Sequence, residues 1–389
     1  MARRIGVVTV ARSDYGHLVP VLEQVREAPD LALLLFVAGA HLSPRFGRTV
    51  SAIEVDGWPI TERVEMVGES DAPEAIAAAA GRGVAGFAAA LARSRPDLLV
   101  VLGDRLEMLS AALAALPLTI PVAHIHGGEV TEGAIDEQVR HAITKLAHLH
   151  FPAAELYACR IRQMGEEPWR VHCCGAPGLD RFSKLAGLSR EALARKIGLP
   201  LRRPTLLVTF HPVTLEHAET AAHVEELAAA LAALDGDAVI TYPGADAAHA
   251  AVIRRLEALA AERPGTRFVP SLGEDVYCSL LREADVMVGN SSSGLIEAPS
   301  FGLPVVNIGS RQQGRLRAAN VLDVGHGREE IAAGIRSALA PEFRRRLAGL
   351  VNPYGDGHAA PRIVNVLREV ELGPRLLRKR FVDLEPPAR

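Results

Sequence analysis

Short, unbroken apolar runs alternate with longer segments of helical periodicity along this chain, and the series restarts midway. The first strand candidates fall at residues 5–10, 31–37, 97–102, 121–126 and 170–174, the second at 205–210, 238–241, 266–269, 285–289 and 304–308. Helical patterns lie between them, among others at 16–27, 70–92, 137–147, 216–234 and 245–261. Strands that are apolar throughout belong to sheets covered on both faces. Strands separated by helices predict parallel sheets with right-handed crossovers. The pattern breaks near 182–201, where Ser189 is placed to cap a short helix that Pro200 and Pro204 close off. The expected fold is α/β, with two doubly wound, Rossmann-like domains at 1–181 and 202–365. A linker at 182–201 joins them across a central cleft, and a peripheral tail follows at 366–389. A length of 389 residues accommodates two domains.

Composition narrows the function. A net charge of −3 argues against a general nucleic-acid binder, whose footprint is basic. The longest stretch without charge or histidine, 108–123, contains Pro117 and Pro121 and is too short to span a bilayer, so no membrane partner is expected. The amino terminus runs into a strand pattern without the apolar core of a signal peptide, which predicts a soluble, cytoplasmic protein. Cys159, Cys173, Cys174 and Cys278 lack metal-finger spacing and read as buried, reduced thiols.

Ligands of open α/β sheets bind beyond the carboxyl ends of the strands, so polar residues directly after strand patterns are the candidates. The turn Ala11-Arg12-Ser13-Asp14-Tyr15-Gly16 has neither a dinucleotide fingerprint nor a P-loop. It leaves Arg12 to hold an anion and Ser13 or Asp14 to cap a helix. Asp104 and Arg105 follow the strand at 97–102. His124 and His126 share one side of a strand end, next to Gly127 and Gly128, and Glu129, Glu132 and Asp136 put three carboxylates within eight residues. Such groups shift one another's pKa values, as acid/base chemistry requires. No third ligand is spaced for a metal, and none is expected. His211 follows the first strand of the second series. Gly289-Asn290-Ser291-Ser292-Ser293-Gly294 opens a helix carrying Glu297, and Arg311 follows the next strand. Free N–H groups at a helix start, small hydroxyls and an arginine suit a diphosphate. His41 follows the second strand and is expected to face the same cleft, whereas His148 and His150 read as structural.

Together these segments resemble the UDP-N-acetylglucosamine 2-epimerase family, specifically its hydrolysing, sialic-acid-pathway branch. The resemblance rests on ARSDYG at 11–16, GAHLSPRFG at 39–47, GDR at 103–105, HIHGGEVTEGAIDEQVRHAITKLAHLHF at 124–151 and GAPGLD at 175–180. It continues with FHPVT at 210–214, GNSSSGLIEAPSFGLPVVNIGSRQQGR at 289–315 and NPYGDGHAAPRI at 352–363. It implies a GT-B fold with the active site between its domains, no cofactor, and conversion of UDP-N-acetylglucosamine and water to N-acetylmannosamine and UDP. It implies catalytic roles for Asp104, Glu129 and Asp136, with His126 beside them and His211 near the leaving diphosphate. It further implies phosphate contacts from Arg12, Ser291, Ser292 and Arg311, ribose binding by Glu297, and uracil recognition by backbone at Leu272. Arg105 and His41 join the substrate-binding set, and a homodimer or homotetramer is implied.

The sequence departs from the family at Gly244 in TYPGAD, where members commonly carry Asn near the nucleotide or sugar. Three readings follow. The first is the epimerase of UDP-N-acetylglucosamine. The second keeps the elimination–addition chemistry on another nucleotide sugar, such as a UDP-diacetamido-trideoxy sugar. The third is a family member recruited to specialised metabolism, joining a phosphosugar to a nucleobase or other acceptor.

Overall fold

A computed structural model describes residues 2–68, 70, 72–132, 135–185, 187–243, 249–270 and 272–383. Its residues cluster into two compact units, the first made of 1–130, 135–181 and 354–389, the second of 131–134 and 182–353.

The first unit contains β1 (Arg3–Thr9), β2 (Leu31–Ala38), β3 (Ile60–Val64), β4 (Leu98–Leu102), β5 (Val122–Ile125) and β6 (Leu149–Phe151). They form one parallel sheet in the order β3-β2-β1-β4-β5-β6. The second unit contains β7 (Thr205–Thr209), β8 (Asp237–Thr241), β9 (Thr266–Val269), β10 (Val286–Gly289), β11 (Val305–Ile308) and β12 (Val321–Val324). Their order, β12-β11-β10-β7-β8-β9, repeats the topology of the first sheet. In both sheets the order reverses direction beside the first strand of the unit, and such a switch point opens a crevice at the carboxyl ends of the strands. β4, β5 and β10 are buried at every position, as continuous apolar runs in a helix-covered sheet require.

Several elements differ from the sequence expectation. β3, with the sequence ITERV, alternates between half-buried and exposed positions at a sheet edge, and β12 is half-buried at the opposite kind of edge. Neither has the apolar run that marks an inner strand. Residues 170–174 do not form a strand; Val171 makes only an isolated bridge to His150 of β6. The first helix starts a turn earlier than expected, at Arg12. Cys159 and Cys173 are exposed rather than buried, because the segment around Cys173 is loop and Cys159 lies on an outer helix face.

The end of the chain also departs from expectation. Residues 354–389 belong to the first unit, not to the second domain or to a peripheral tail. Ala359, Ala360, Ile363, Val364 and Leu367 put the apolar face of the helix Ala359–Glu369 into the first unit's core. Asp180 caps that helix, accepting the N–H groups of Ala359 (2.9 Å) and Ala360 (2.6 Å). Arg170, fully buried, donates to the carbonyls of Leu376, Arg375 and Arg378 and so fastens the following segment. The expected linker at 182–201 clusters with the second unit, and Ser189 caps the helix Arg190–Ile197 there.

The helix Pro73–Ser94 is long and apolar enough to cross a membrane by length and composition alone. Here it packs on β3 and on the helix Leu106–Ala115, with Phe87, Ala90 and Leu91 in the first unit's core.

Candidate functional site

Site-forming side chains gather at the carboxyl ends of the strands in each unit. In the first unit, Thr9 ends β1 and the helix Arg12–Glu27 begins three residues later. Asp14 turns back to accept the N–H of Val10 (2.9 Å) and the hydroxyl of Thr9 (2.7 Å). It therefore ties the β1 end to the helix start, which has no side-chain cap at Ala11. Burial pushes the Asp14 carboxyl up to about 6, and its Oδ1 has no hydrogen-bond partner. His41 is fully buried, 2.9 Å from the Thr9 hydroxyl and 2.8 Å from that of Thr49. His41 is therefore enclosed between two hydroxyls rather than open to a cleft, as the sequence reading expected. Arg12 is exposed at the start of the helix.

β4 ends at Leu102, and Gly103, with φ +77°, turns the chain into Asp104 and Arg105. Arg105 precedes the helix Leu106–Ala115 and pairs with Glu107 at 3.2 Å. Asp104 pairs with Arg140, a residue that the sequence reading did not single out. Arg140 is 1% exposed and also donates to the Glu129 carbonyl (3.1 Å) and to Glu137 (3.2 Å). One buried guanidinium thus joins the segment after β4 to the loop and the helix that follow β5. Its only signal in the sequence is an arginine four residues after Asp136, on a helix face that otherwise carries Val139, Ile143 and Thr144.

At the end of β5, His124 and His126 part ways. His124 lies inside the sheet, 2.7 Å from the Gly103 carbonyl and 3.2 Å from Thr144, and burial pulls it down to about 3. It is structural. His126 has φ +63°, a left-handed conformation rare outside glycine, which breaks the strand alternation. The expectation that the two rings share one side fails for this reason. Instead His126 Nδ1 lies 2.5 Å from Glu129 Oε1, both residues being buried. Gly128 (φ +77°) permits this turn, since a Cβ there would lie 2.4 Å from the Tyr157 carbonyl. Behind His126 lies His17, with ring centroids 6.1 Å apart, another residue not foreseen. Burial, then the neighbouring His126, lowers His17 to about 3. Asp136 opens the helix Asp136–Leu146, and burial followed by the charge of Asp104 raises its pKa. Glu132 is exposed. His148 and His150 are structural as expected, accepting the Val122 N–H and pairing with Glu166.

In the second unit, β7 and β10 approach closely where Gly289 passes Thr209. A Cβ on Gly289 would lie 1.9 Å from the Thr209 carbonyl, and its φ is +136°. The following Asn290, fully buried, accepts the His211 N–H (2.7 Å) and donates to the His211 carbonyl (2.8 Å). Its own carbonyl receives Arg311 (3.2 Å) and Gln312 (2.8 Å). Asn290 therefore sets His211 and Arg311 against the serine turn. Burial, then the charge of Arg311, lowers His211 to about 3, so the ring is neutral near pH 7.

The helix after the serines is a single turn, Ser293–Ile296, shorter than the sequence suggested, and Glu297 lies just past its end. A long helix dipole is thus not available. What remains is local: the N–H groups of Ser291 and Ser292 meet no acceptor among the described residues. Ser293 donates to the buried Glu297 and lies 2.6 Å from the Tyr277 hydroxyl. Leu272 lies in the connection between β9 and the helix Glu274–Glu283. Gly244 lies outside the described residues.

Each unit thus presents a distinct chemistry: carboxylates, imidazoles and a buried guanidinium in the first, a serine turn with open N–H groups beside His211 and Arg311 in the second. The profile of the UDP-N-acetylglucosamine 2-epimerase family matches residues 23–368. The UDP-N,N'-diacetylbacillosamine 2-epimerase (hydrolyzing) of Legionella pneumophila is 36% identical over 97% of this chain and 99% of its own length. The GDP/UDP-N,N'-diacetylbacillosamine 2-epimerase (hydrolyzing) of Campylobacter jejuni is 33% identical over 98% of this chain and 99% of its own. In fold, the chain is similar to the Neisseria meningitidis UDP-GlcNAc 2-epimerase bound to UDP-GlcNAc. The TM-score is 0.79 at 18% identity, covering 94% of this chain and 99% of that one.

Proposed function

Because the chain belongs to the UDP-N-acetylglucosamine 2-epimerase family, we propose that it is a hydrolysing 2-epimerase of a UDP-linked acetamido sugar. Its substrate is a UDP-2,4-diacetamido-2,4,6-trideoxy sugar rather than UDP-N-acetylglucosamine. The relatives at 36% and 33% identity both carry the former activity in their names, which favours the second of the three readings over the first.

The reaction begins with elimination: a proton leaves C2, C1–O breaks, and UDP departs with the electron pair, leaving a glycal. Water then adds at C1 while C2 takes a proton on the opposite face. The sum is nucleotide sugar plus water giving the free 2-epimer plus UDP. The proton at C2 is weakly acidic, so base, acid and leaving-group stabilisation must act together. A positioned acid or base contributes about 10²–10⁴-fold each.

Asp104, Glu129 and Asp136 carry the proton transfers in this reading, with His126 orienting Glu129. Asp136 is suited to deliver a proton, since burial and Asp104 raise its proton affinity. His211, Arg12, Arg311 and the N–H groups of Ser291 and Ser292 receive the diphosphate, Glu297 the ribose, and the backbone at Leu272 the uracil. Neutral His211 donates to the diphosphate without itself needing to be charged.

The observation that carries this reading is the Asp104–Arg140–Glu129–His126 network with Asp136 beside it. Incubation in D₂O with each of the two UDP-sugars tests it. The expected result is UDP release with deuterium at C2, faster for the diacetamido sugar. Asp104→Asn and Glu129→Gln should each lose at least about 10²-fold in kcat with binding largely kept. UDP release without label at C2, or near-native turnover of both variants, would overturn the assignment.

A further inference from the structure

A cluster of metal-ligating side chains lies in the second unit, apart from the residues assigned above. Glu216 sits in the 3-10 turn Thr214–Glu219, His223 on the helix Thr220–Ala232, and His326 after β12. One ligand atom from each lies within 4.8 Å of the other two.

The Glu216 carboxylate is divided between two neighbours. Oε1 accepts the Ser310 hydroxyl, and Oε2 lies 3.5 Å from His326 Nε2. Neither ring nitrogen of His326 has a hydrogen-bond partner, although both atoms are out of water. The ring is held from two sides. It stacks on His223 with centroids 3.5 Å apart and planes 6° from parallel, and Gly309 lies against it, where a Cβ would meet Nε2 at 2.2 Å. A polar ring placed this tightly with both nitrogens idle is costly unless something occupies them. The 3.5 Å gap to Glu216 is long for an N–H···O bond. It is close to the edge of a tetrahedral metal site, where ligand atoms about 2.0–2.1 Å from the ion lie roughly 3.3–3.4 Å from each other. Glu219 Oε2 lies at the same distance, 3.5 Å, from His223 Nε2 and adds negative charge.

We propose that Glu216, His223 and His326 form a binding site for a divalent transition ion of the zinc class. Two imidazoles and a carboxylate suit Zn²⁺ or its neighbours in preference to Mg²⁺ or Ca²⁺, which take oxygen ligands. Ser310 is the outer hydrogen bond that orients the carboxylate. Binding turns the His223 ring out of the stack, so that both rings meet the ion edge-on. The site joins the turn that follows His211 to the residue before Arg311, so the ion braces two strand-end loops. It is independent of the catalytic reading.

The test uses the full, untagged chain, freed of metal by chelator dialysis. Zn²⁺ is titrated by calorimetry and Co²⁺ by visible absorption, without nucleotide. One ion per chain is expected, with cobalt bands of low coordination number. His326→Ala and Glu216→Gln should each weaken binding by at least 100-fold, and Ser310→Ala by about 10–100-fold. Far-UV circular dichroism checks folding, and His223→Ala repeats the test if either core variant misfolds. No stoichiometric binding at micromolar ion overturns the proposal. So does binding that survives in both His326→Ala and Glu216→Gln, or that is lost only in His126→Ala.

Discussion

Arg140→Met removes the charge that joins Asp104, the Glu129 carbonyl and Glu137 while keeping an unbranched apolar stem. Breaking a fully buried pair by deleting one partner costs about 3–5 kcal/mol. The Asp104 side chain keeps 27% of its surface exposed, against 2% for Arg140, so water takes up part of the orphaned charge. The expected loss is therefore smaller, about 2–3 kcal/mol. At about 2–4 °C per kcal/mol for a unit of this size, the melting temperature of the first unit falls by about 4–12 °C. A kinetic effect follows from Asp136. Burial and Asp104 raise its pKa, and Arg140 opposes both, so the variant raises it further. Asp136 delivers a proton in this reading, so the basic limb of the kcat/KM profile for UDP release then moves to higher pH. Arg140→Lys should restore the limb but only part of the stability, since an ammonium cannot reproduce the forked contacts. Calorimetry and the pH profile supply the two measurements. A stability within about 0.5 kcal/mol of the parent, together with an unmoved limb, would refute the hub role of Arg140.

Stability should fall in mild acid, because burial holds His17, His124 and His211 near 3 and His41 near 4. The unfolded chain takes up these protons near pH 6.5, so stability is full above that value and falls as pH drops. At pH 5 each ring costs up to about 2 kcal/mol. Asp14, raised to about 6, runs the other way, favouring the fold at low pH and losing that contribution as pH rises toward 6. Asp136 and Asp180, also raised by burial, act as Asp14 does, but His148, held near 4, joins the other depressed rings, which leaves the net acid-labile; equal urea midpoints at pH 7 and pH 5 would contradict it. Gly289→Ala should cost about 2–4 kcal/mol through its clash with Thr209 and its positive φ, whereas Gly302→Ala, with open space around it, should cost about 1. Urea denaturation separates the two. Asn290→Ala should cost about 1–3 kcal/mol by leaving the His211 N–H unpaired, and should weaken UDP binding by calorimetry; unchanged UDP affinity would remove Asn290 from the anion site.

Local pattern alone carried the architecture of this chain. An inner strand of a covered parallel sheet must be apolar on both faces, so β4, β5, β7 and β10 are visible as runs. The motifs at strand ends are visible too, because open sheets bind ligands there. Edge strands β3 and β12 escaped notice, since a half-exposed strand needs no such run, and so did β6, whose three residues are too short to stand out from the preceding helix. Tertiary structure alone decided what each polar residue does. Arg140 reaches Asp104 across 36 positions, and Asp180 caps a helix 179 positions away. His41 is closed off between two threonines, and His126 leaves the strand through a left-handed turn. Periodicity records which face of an element is buried. It holds no record of which distant partner satisfies a buried charge or ring nitrogen, and that pairing separates the side chains that brace the site from those that meet a ligand.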